Sequence, residues 1–271
     1  MKSQAFKILG IILLLLIFVA LILTPLYKKA PVKRARVKKA MVKKPPAKRV
    51  RLDGGKIVIV LDDWGYSLNN LSIIEQIKQP LTCAVLPGLG NSDIVMRRLD
   101  RLGCEIILHL PMEPKEKYNL EKDTITAKMN SAQIHDILES DLSSVALAKG
   151  VSNHMGSKIS EDPRASKAVL AEVKKRKLYF LDSYVTRGSV YPGLARQMNI
   201  KFAKRDIFLD NQDDFAYIRG QLDKLKKIAA KQGTAIGIGH DRRNTLLVLK
   251  EVLPEMEKEG YKFIFLSQAV Q

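Results

Sequence analysis

Of the four histidines in the chain, three (His109, His154 and His240) close short apolar runs, and Asp62, Asp63 and Asp182 stand at matching places after other such runs. In a parallel sheet such strand ends converge on one face, where catalysis gathers. Two imidazoles and one carboxylate make an open Zn²⁺ site with a position left for water. A second carboxylate can take the proton of that water, and a third imidazole can protonate a leaving group. The residue types therefore point to metal-assisted hydrolysis. Asp62 and Asp63 are adjacent and cannot both point the same way from a regular strand. Near a strand end, one can face the metal and the other the water. His135 falls inside a helical stretch and reads as a surface residue. Trp64 fits packing as well as a sugar-binding wall, and Arg187 and Arg205 read as surface arginines following strand ends.

The elements that must position these groups follow from periodicity. Lys56–Asp62, Leu81–Leu86, Cys104–Leu110, Val151–Met155, Leu178–Asp182, Thr234–His240 and Tyr261–Leu266 are short apolar runs of the kind buried on both faces of a parallel sheet. Ile200–Asp210 holds one strand or two short ones. Between them, helical spacing covers Ser67–Lys78, Ser92–Leu102, Ser131–Ala148, the stretch opened by Asp162-Pro163, Phe215–Gln232 and Asn244–Lys258. Asn130 or Ser131 caps the third of these, and Gly103 and Gly233 stop two others. Pro111–Asn130 is a polar insertion that reads as loop. Roughly eight strands alternating with helices in one domain favour a closed or nearly closed (β/α) barrel over an open doubly wound sheet. No glycine-rich nucleotide fingerprint follows any strand.

Charge divides the chain differently. Residues 1–51 carry 14 Lys/Arg and no acid, which leaves 32 basic against 28 acidic residues in the remainder. The folded part is thus nearly balanced, and nucleic acid is not an expected partner. Ile8–Leu26 is a run of 19 residues broken only by Gly10, Thr24 and Pro25. It is just long enough to span a bilayer, and no small-residue cleavage site follows. Residues 1–27 read as an uncleaved membrane anchor. Residues 28–53 read as a basic, proline-containing linker suited to anionic lipid or an anionic wall polymer, or to serving as a spacer. Residues 54–271 read as the catalytic domain. The positive-inside rule would hold the basic flank in the cytoplasm, whereas an envelope substrate places the domain outside; the expectation is a single-pass membrane protein with its domain extracytoplasmic. Cys83 and Cys104 allow one bridge at most and read as two buried thiols.

Five blocks in order, IVLDDWG (59–65), HLPMEP (109–114), NHMGSKIS (153–160), FLDSYVT (180–186) and IGIGHDRRNT (236–245), resemble the divergent polysaccharide deacetylase family. That family is similar to the NodB-type carbohydrate esterases, and the resemblance implies a distorted (β/α) barrel. It also implies that Asp62 is the catalytic base, Asp63 a metal ligand and His240 the general acid. NodB-type enzymes carry two metal-binding histidines four apart, whereas here the second is Glu113. His154 then supplies the missing imidazole, for a site of Asp63, His109 and His154, with Glu113 as an extra ligand or a partner of His109. Asp182 is expected to orient His240, and Gly237 and Gly239 to let backbone or substrate approach the strand that carries it. The expected activity is removal of acetyl groups from N-acetylated envelope polysaccharide with a divalent metal, Zn²⁺ by ligand type. The competing reading is an anchored, non-catalytic glycan-binding module with a degenerate site, for which the Glu113 replacement speaks.

Overall fold

The computed structural model describes residues 54–271. The anchor expected at 8–26 and the linker expected at 28–53 lie outside the described residues. Among the described residues no helix is long and apolar enough to cross a membrane.

Among the described residues nine strands alternate with helices: β1 Lys56–Trp64, α1 Leu71–Ile74, β2 Thr82–Val85, α2 Ser92–Arg101, β3 Glu105–Met112, α3 Ser131–Ser144, β4 Gly150–Met155, α4 Pro163–Lys175, β5 Tyr179–Asp182, α5 Tyr191–Met198, β6 Phe202–Lys204, β7 Ile207–Phe208, α6 Phe215–Gln232, β8 Thr234–His240, α7 Arg243–Lys258 and β9 Lys262–Phe263. All ladders are parallel, in the order β6-β5-β4-β3-β2-β1-β8-β7, with β9 added to the start of β1. The sheet curls into a half-barrel and its ladder is not closed, because β6 and β7 do not pair. Only Arg205 and Asp206 separate them. The Arg205 N–H donates to Asp182 O and the Asp206 N–H to Ile236 O, so consecutive residues serve opposite edges of the seam.

Strand parity decides what faces inward. Val58 and Val60 of β1 pack with Ala84, Ile107, Leu181, Ile236 and Ile238 in a small inner cluster. Ile57, Ile59 and Leu61 pack outward against the helices with Val85, Leu108, Val151 and Phe180. Both faces are buried, as a parallel sheet under helices requires. The far end of the barrel is plugged by polar bonds. Buried Glu105 accepts from Tyr179 Oη at 2.8 Å, the Ser267 N–H at 3.0 Å and Thr82 Oγ1 at 3.2 Å.

Several boundaries differ from the sequence reading. The helix expected over 67–78 shrinks to the single turn α1, and α5 falls in a stretch to which the sequence assigns no element. Ile200–Asp210 resolves into two short strands. The caps hold. Asn130 and Gln133 form a reciprocal capping box on α3, and Asp162 Oδ1 accepts from the N–H groups of Arg164 and Ala165 ahead of Pro163. Cys83 is buried and Cys104 half-buried, and both are free thiols.

Candidate active site

The paired aspartates converge through a bulge. Between Leu61↔Cys83 and Trp64↔Val85, β1 spends one residue more than β2. Asp63 takes the extra place with φ 67°, a left-handed conformation that aspartate tolerates better than most residues. Asp62 keeps the inward parity of Val58 and Val60, and the bulge turns Asp63 to the same side. The constraint that separates neighbours on a regular strand is thereby lifted.

His109 on β3 and His154 on β4 share the inward parity and stand on adjacent strands, their rings edge to face with centroids 4.9 Å apart. His109 Nε2 lies 3.2 Å from Asp63 Oδ1 and 3.6 Å from Asp62 Oδ2. His154 Nδ1 lies 3.0 Å from the same Asp63 oxygen. One ligand atom from each of Asp63, His109 and His154 falls within 4.8 Å of the other two. Tetrahedral ligands at ~2.1 Å from an ion sit about 3.4 Å from one another, so the spacing suits a divalent cation. The hydrogen bonding agrees. Asp62 Oδ1, Asp63 Oδ1 and His154 Nε2 are buried without a well-aligned partner, a costly state for a carboxylate unless a cation neutralises it. Burial works against ionised Asp63, but contact with His109 and His154 outweighs it and holds the carboxyl well below the usual range. For Asp62 burial dominates over His109 and His240, and its carboxyl is raised. These residues fit a metal ion with Asp62 standing beside it.

His240 ends β8 in register with Asp62 on β1. Its Nδ1 lies 2.7 Å from Asp210 Oδ1, and its backbone N–H donates to Asp210 Oδ2 at 2.8 Å. Thr245 Oγ1 also donates to Asp210 Oδ2 at 2.7 Å, so the carboxylate is held from three directions. Burial lowers His240, but the bond to Asp210 prevails and raises its pKa; Asp210 is lowered by the same partner in spite of its burial. Gly239 is what lets this cluster close. A β-carbon there would come within 2.9 Å of Thr245 Cγ2 and 3.6 Å of Asp210 Oδ2. The space at the glycines is thus taken by the protein. At Gly237 it is filled by Leu225 and Leu209.

The partner of His240 is Asp210 and not Asp182. Asp182 follows Phe180 in parity and so turns outward, where Ser189 Oγ donates to Oδ2 and the Tyr184 N–H to Oδ1, both at 2.7 Å. Sequence reasoning missed Asp210. Its signal was a fourth aspartate closing an apolar run, Ile207–Leu209. Glu113 stands outside the Asp63–His109–His154 group and makes no hydrogen bond to His109. It pairs with Lys158 at 2.5 Å and accepts from the Ala127 N–H at 2.8 Å. His109 Nδ1 is instead 2.8 Å from Ser152 Oγ. Trp64 is fully buried and packs. His135 sits on the helix layer beside Glu172 at 2.9 Å, and Arg187 is exposed. Arg205 stitches the seam, donating to Ser183 O and Tyr184 O and stacking 3.7 Å over Phe208. A cleft of about 550 Å³ opens onto Asp63 and His240 and is bordered by Tyr66, Asn70, Arg242 and Arg243.

Residues 59–270 match the family model described as divergent polysaccharide deacetylase. The chain is 33% identical over 199 residues to the uncharacterised protein YibQ of Escherichia coli, a match that covers 73% of this chain and 62% of that protein's length. An uncharacterised Haemophilus influenzae protein is 30% identical over 204 residues, covering 75% of this chain and 73% of the relative. Among solved structures, an uncharacterised protein from Agrobacterium tumefaciens superposes with a TM-score of 0.77 at 25% identity, covering 80% of this chain and 89% of that one.

Proposed function

We propose, since the chain belongs to the divergent polysaccharide deacetylase family, that it is a metal-dependent hydrolase removing acetyl groups from N-acetylated envelope polysaccharide. The observation that carries this reading is the convergence of Asp63, His109 and His154 within 4.8 Å, flanked by Asp62 and by the His240–Asp210 pair. Asp63, His109 and His154 would hold the ion, Zn²⁺ by ligand type. When bound, a divalent cation polarises the acyl carbonyl and acidifies water.

The chain's own residues divide the proton work. Asp62 Oδ1 has no hydrogen-bond partner and is placed to accept a proton from water. His240 is held at Nδ1 by Asp210, which leaves Nε2 to donate to the departing amine. The raised pKa of His240 keeps it protonated nearer neutrality, as an acid requires. The cleft at the mouth gives a sugar ring access to His240 and to Asp63. By the same reading the domain works at the cell envelope, tethered through residues 8–26. Fractionation that finds a soluble mature chain starting after residue 26 would remove the tether.

The test is metal analysis of the purified chain together with acetate release from N-acetylated oligosaccharides. A stoichiometric divalent ion and released acetate are expected. A bound ion without acetate release would replace the substrate class by another amide or ester. No ion and no hydrolysis, with glycan still retained, would leave the non-catalytic binding module.

A further inference from the structure

We infer that the segment joining β3 to α3 completes the metal centre, with Glu121 as the outer partner of His154 and Tyr66 as the residue that holds Glu121 in place. The inference rests on the metal reading above and concerns residues that neither the family blocks nor the strand ends single out.

The two imidazoles are supported in different ways. His109 turns Nε2 to Asp63 and rests Nδ1 on Ser152 Oγ, a neutral hydroxyl of the neighbouring strand. His154 turns Nδ1 to Asp63, and its Nε2 lies 3.3 Å from Glu121 Oε1. That nitrogen is buried and has no other partner. The approach to Glu121 is oblique, so the pair meets by distance and charge. A ligating histidine that gives its second N–H to a carboxylate is fixed in tautomer and orientation and becomes a more basic ligand. Among the described residues Glu121 is the one carboxylate paired with Nε2.

Glu121 is also built into its position. Tyr66, on the loop after β1, donates from Oη to the same Glu121 Oε1 at 2.6 Å, which joins segments 55 residues apart. Behind it, Thr124 Oγ1 donates to Glu121 O at 2.7 Å. The segment is pinned at its base where the Glu113 N–H donates to Ile125 O and the Ile125 N–H to Pro111 O. Arg164 clamps the far end through Ala127 O and Met129 O, both at 2.6 Å. An unstructured loop would not carry this many ties. Tyr66 borders the cleft with half its surface exposed, so the residue that steadies Glu121 is also one that a sugar meets on entry.

Zn²⁺ affinity of the full chain, measured by competition with a chromophoric chelator, tests the inference without reference to turnover. Glu121→Gln should weaken Zn²⁺ binding on the order of 10–100-fold, the usual effect of losing an outer-shell partner. Tyr66→Phe should weaken it less, and Glu116→Gln, an exposed carboxylate of the same segment, should leave it unchanged. Apo melting temperatures matching the parent would separate this from unfolding. A slowly exchanging His154 Nε2 proton in the Zn²⁺-loaded parent, lost in Glu121→Gln, would be its spectroscopic signature. Equal affinity of the parent, Glu121→Gln and Tyr66→Phe would overturn the inference while leaving the metal reading intact. A parent chain that takes up no Zn²⁺ would overturn both.

Discussion

Asp210→Asn separates the structural assignment of the His240 partner from the one strand ends suggest. The amide keeps the shape of the carboxylate and removes its charge. Asp210 Oδ2 accepts the backbone N–H of His240, which cannot rotate away, and the Thr245 hydroxyl. An amide nitrogen in that place would set donor against donor. The side chain is therefore expected to present its oxygen there and its NH₂ to His240 Nδ1. Nδ1 must then accept, and the protonated ring loses its charge-assisted bond. Such a bond is worth about 1.5–3 kcal/mol. At 1.36 kcal/mol per unit, the pKa of His240 should fall by about 1–2 units.

The readout is a ring-proton NMR titration. The chain has four histidines, and His240→Gln assigns the fourth signal. In the parent, His240 should titrate above the ordinary imidazole range, because the bond to Asp210 outweighs burial. The raised imidazole favours folding below its unfolded pKa and loses that contribution as pH rises through the folded value. Asp210, held low, contributes above the ordinary carboxylate range. The pair therefore stabilises most between about pH 4 and 6.5. In Asp210→Asn the window closes, and the alkaline limb of the pH–rate profile moves to lower pH by the same 1–2 units. Asp182→Asn should leave the His240 titration where it is. An unmoved His240 in Asp210→Asn, or a moved one in Asp182→Asn, would refute the assignment.

Three further outcomes follow from the geometry. Gly239→Ala drives a β-carbon to 2.9 Å from Thr245 Cγ2; denaturant unfolding should show a loss of about 1–3 kcal/mol, and His240 should lose its fixed orientation. Asp162→Ala removes the acceptor for two N–H groups at the start of α4 and should cost about 1 kcal/mol without altering metal content. Asp141 is buried with Oδ2 unpartnered and its pKa pushed up to about 7 by burial and by Asp123. The folded chain then holds a proton that the unfolded chain releases, so the parent loses stability as pH rises from about 4 to 7. Asp141→Asn should therefore gain melting temperature relative to the parent at pH 8 and not at pH 4.

What the sequence disclosed about the site depended on whether alternation could be read. The strand ends were visible because apolar runs stop at Asp, His or Gly, and the alternating strand–helix order fixes a parallel sheet whose ends share one face. The inward or outward sense of each end was harder, since a strand buried on both faces carries no polar alternation to mark its parity. In LYFLD every residue before Asp182 is apolar, and nothing in the string says that Leu181 faces the barrel and Phe180 the helices. Asp182 was thus placed beside His240 when it points the other way. The same limit hid Asp210, two residues beyond a strand so short that only Ile207 and Phe208 pair.

The outer supports were hidden for a different reason. Ser152, Glu121 and Tyr66 act through contacts between segments far apart in sequence, and no local period records such a contact. Glu113 shows the converse. The resemblance to NodB-type enzymes sets it where they carry a second histidine, which makes it a candidate ligand. It lies just past the end of β3, however, and the turn there delivers its carboxylate to Lys158 and the Ala127 N–H. His154 stands one strand over at the same level as Pro111. The two imidazoles and the carboxylate that converge thus come from β3, β4 and β1. Asp63, His109 and His154 offer ligand atoms within 4.8 Å of one another, a spacing compatible with a divalent cation.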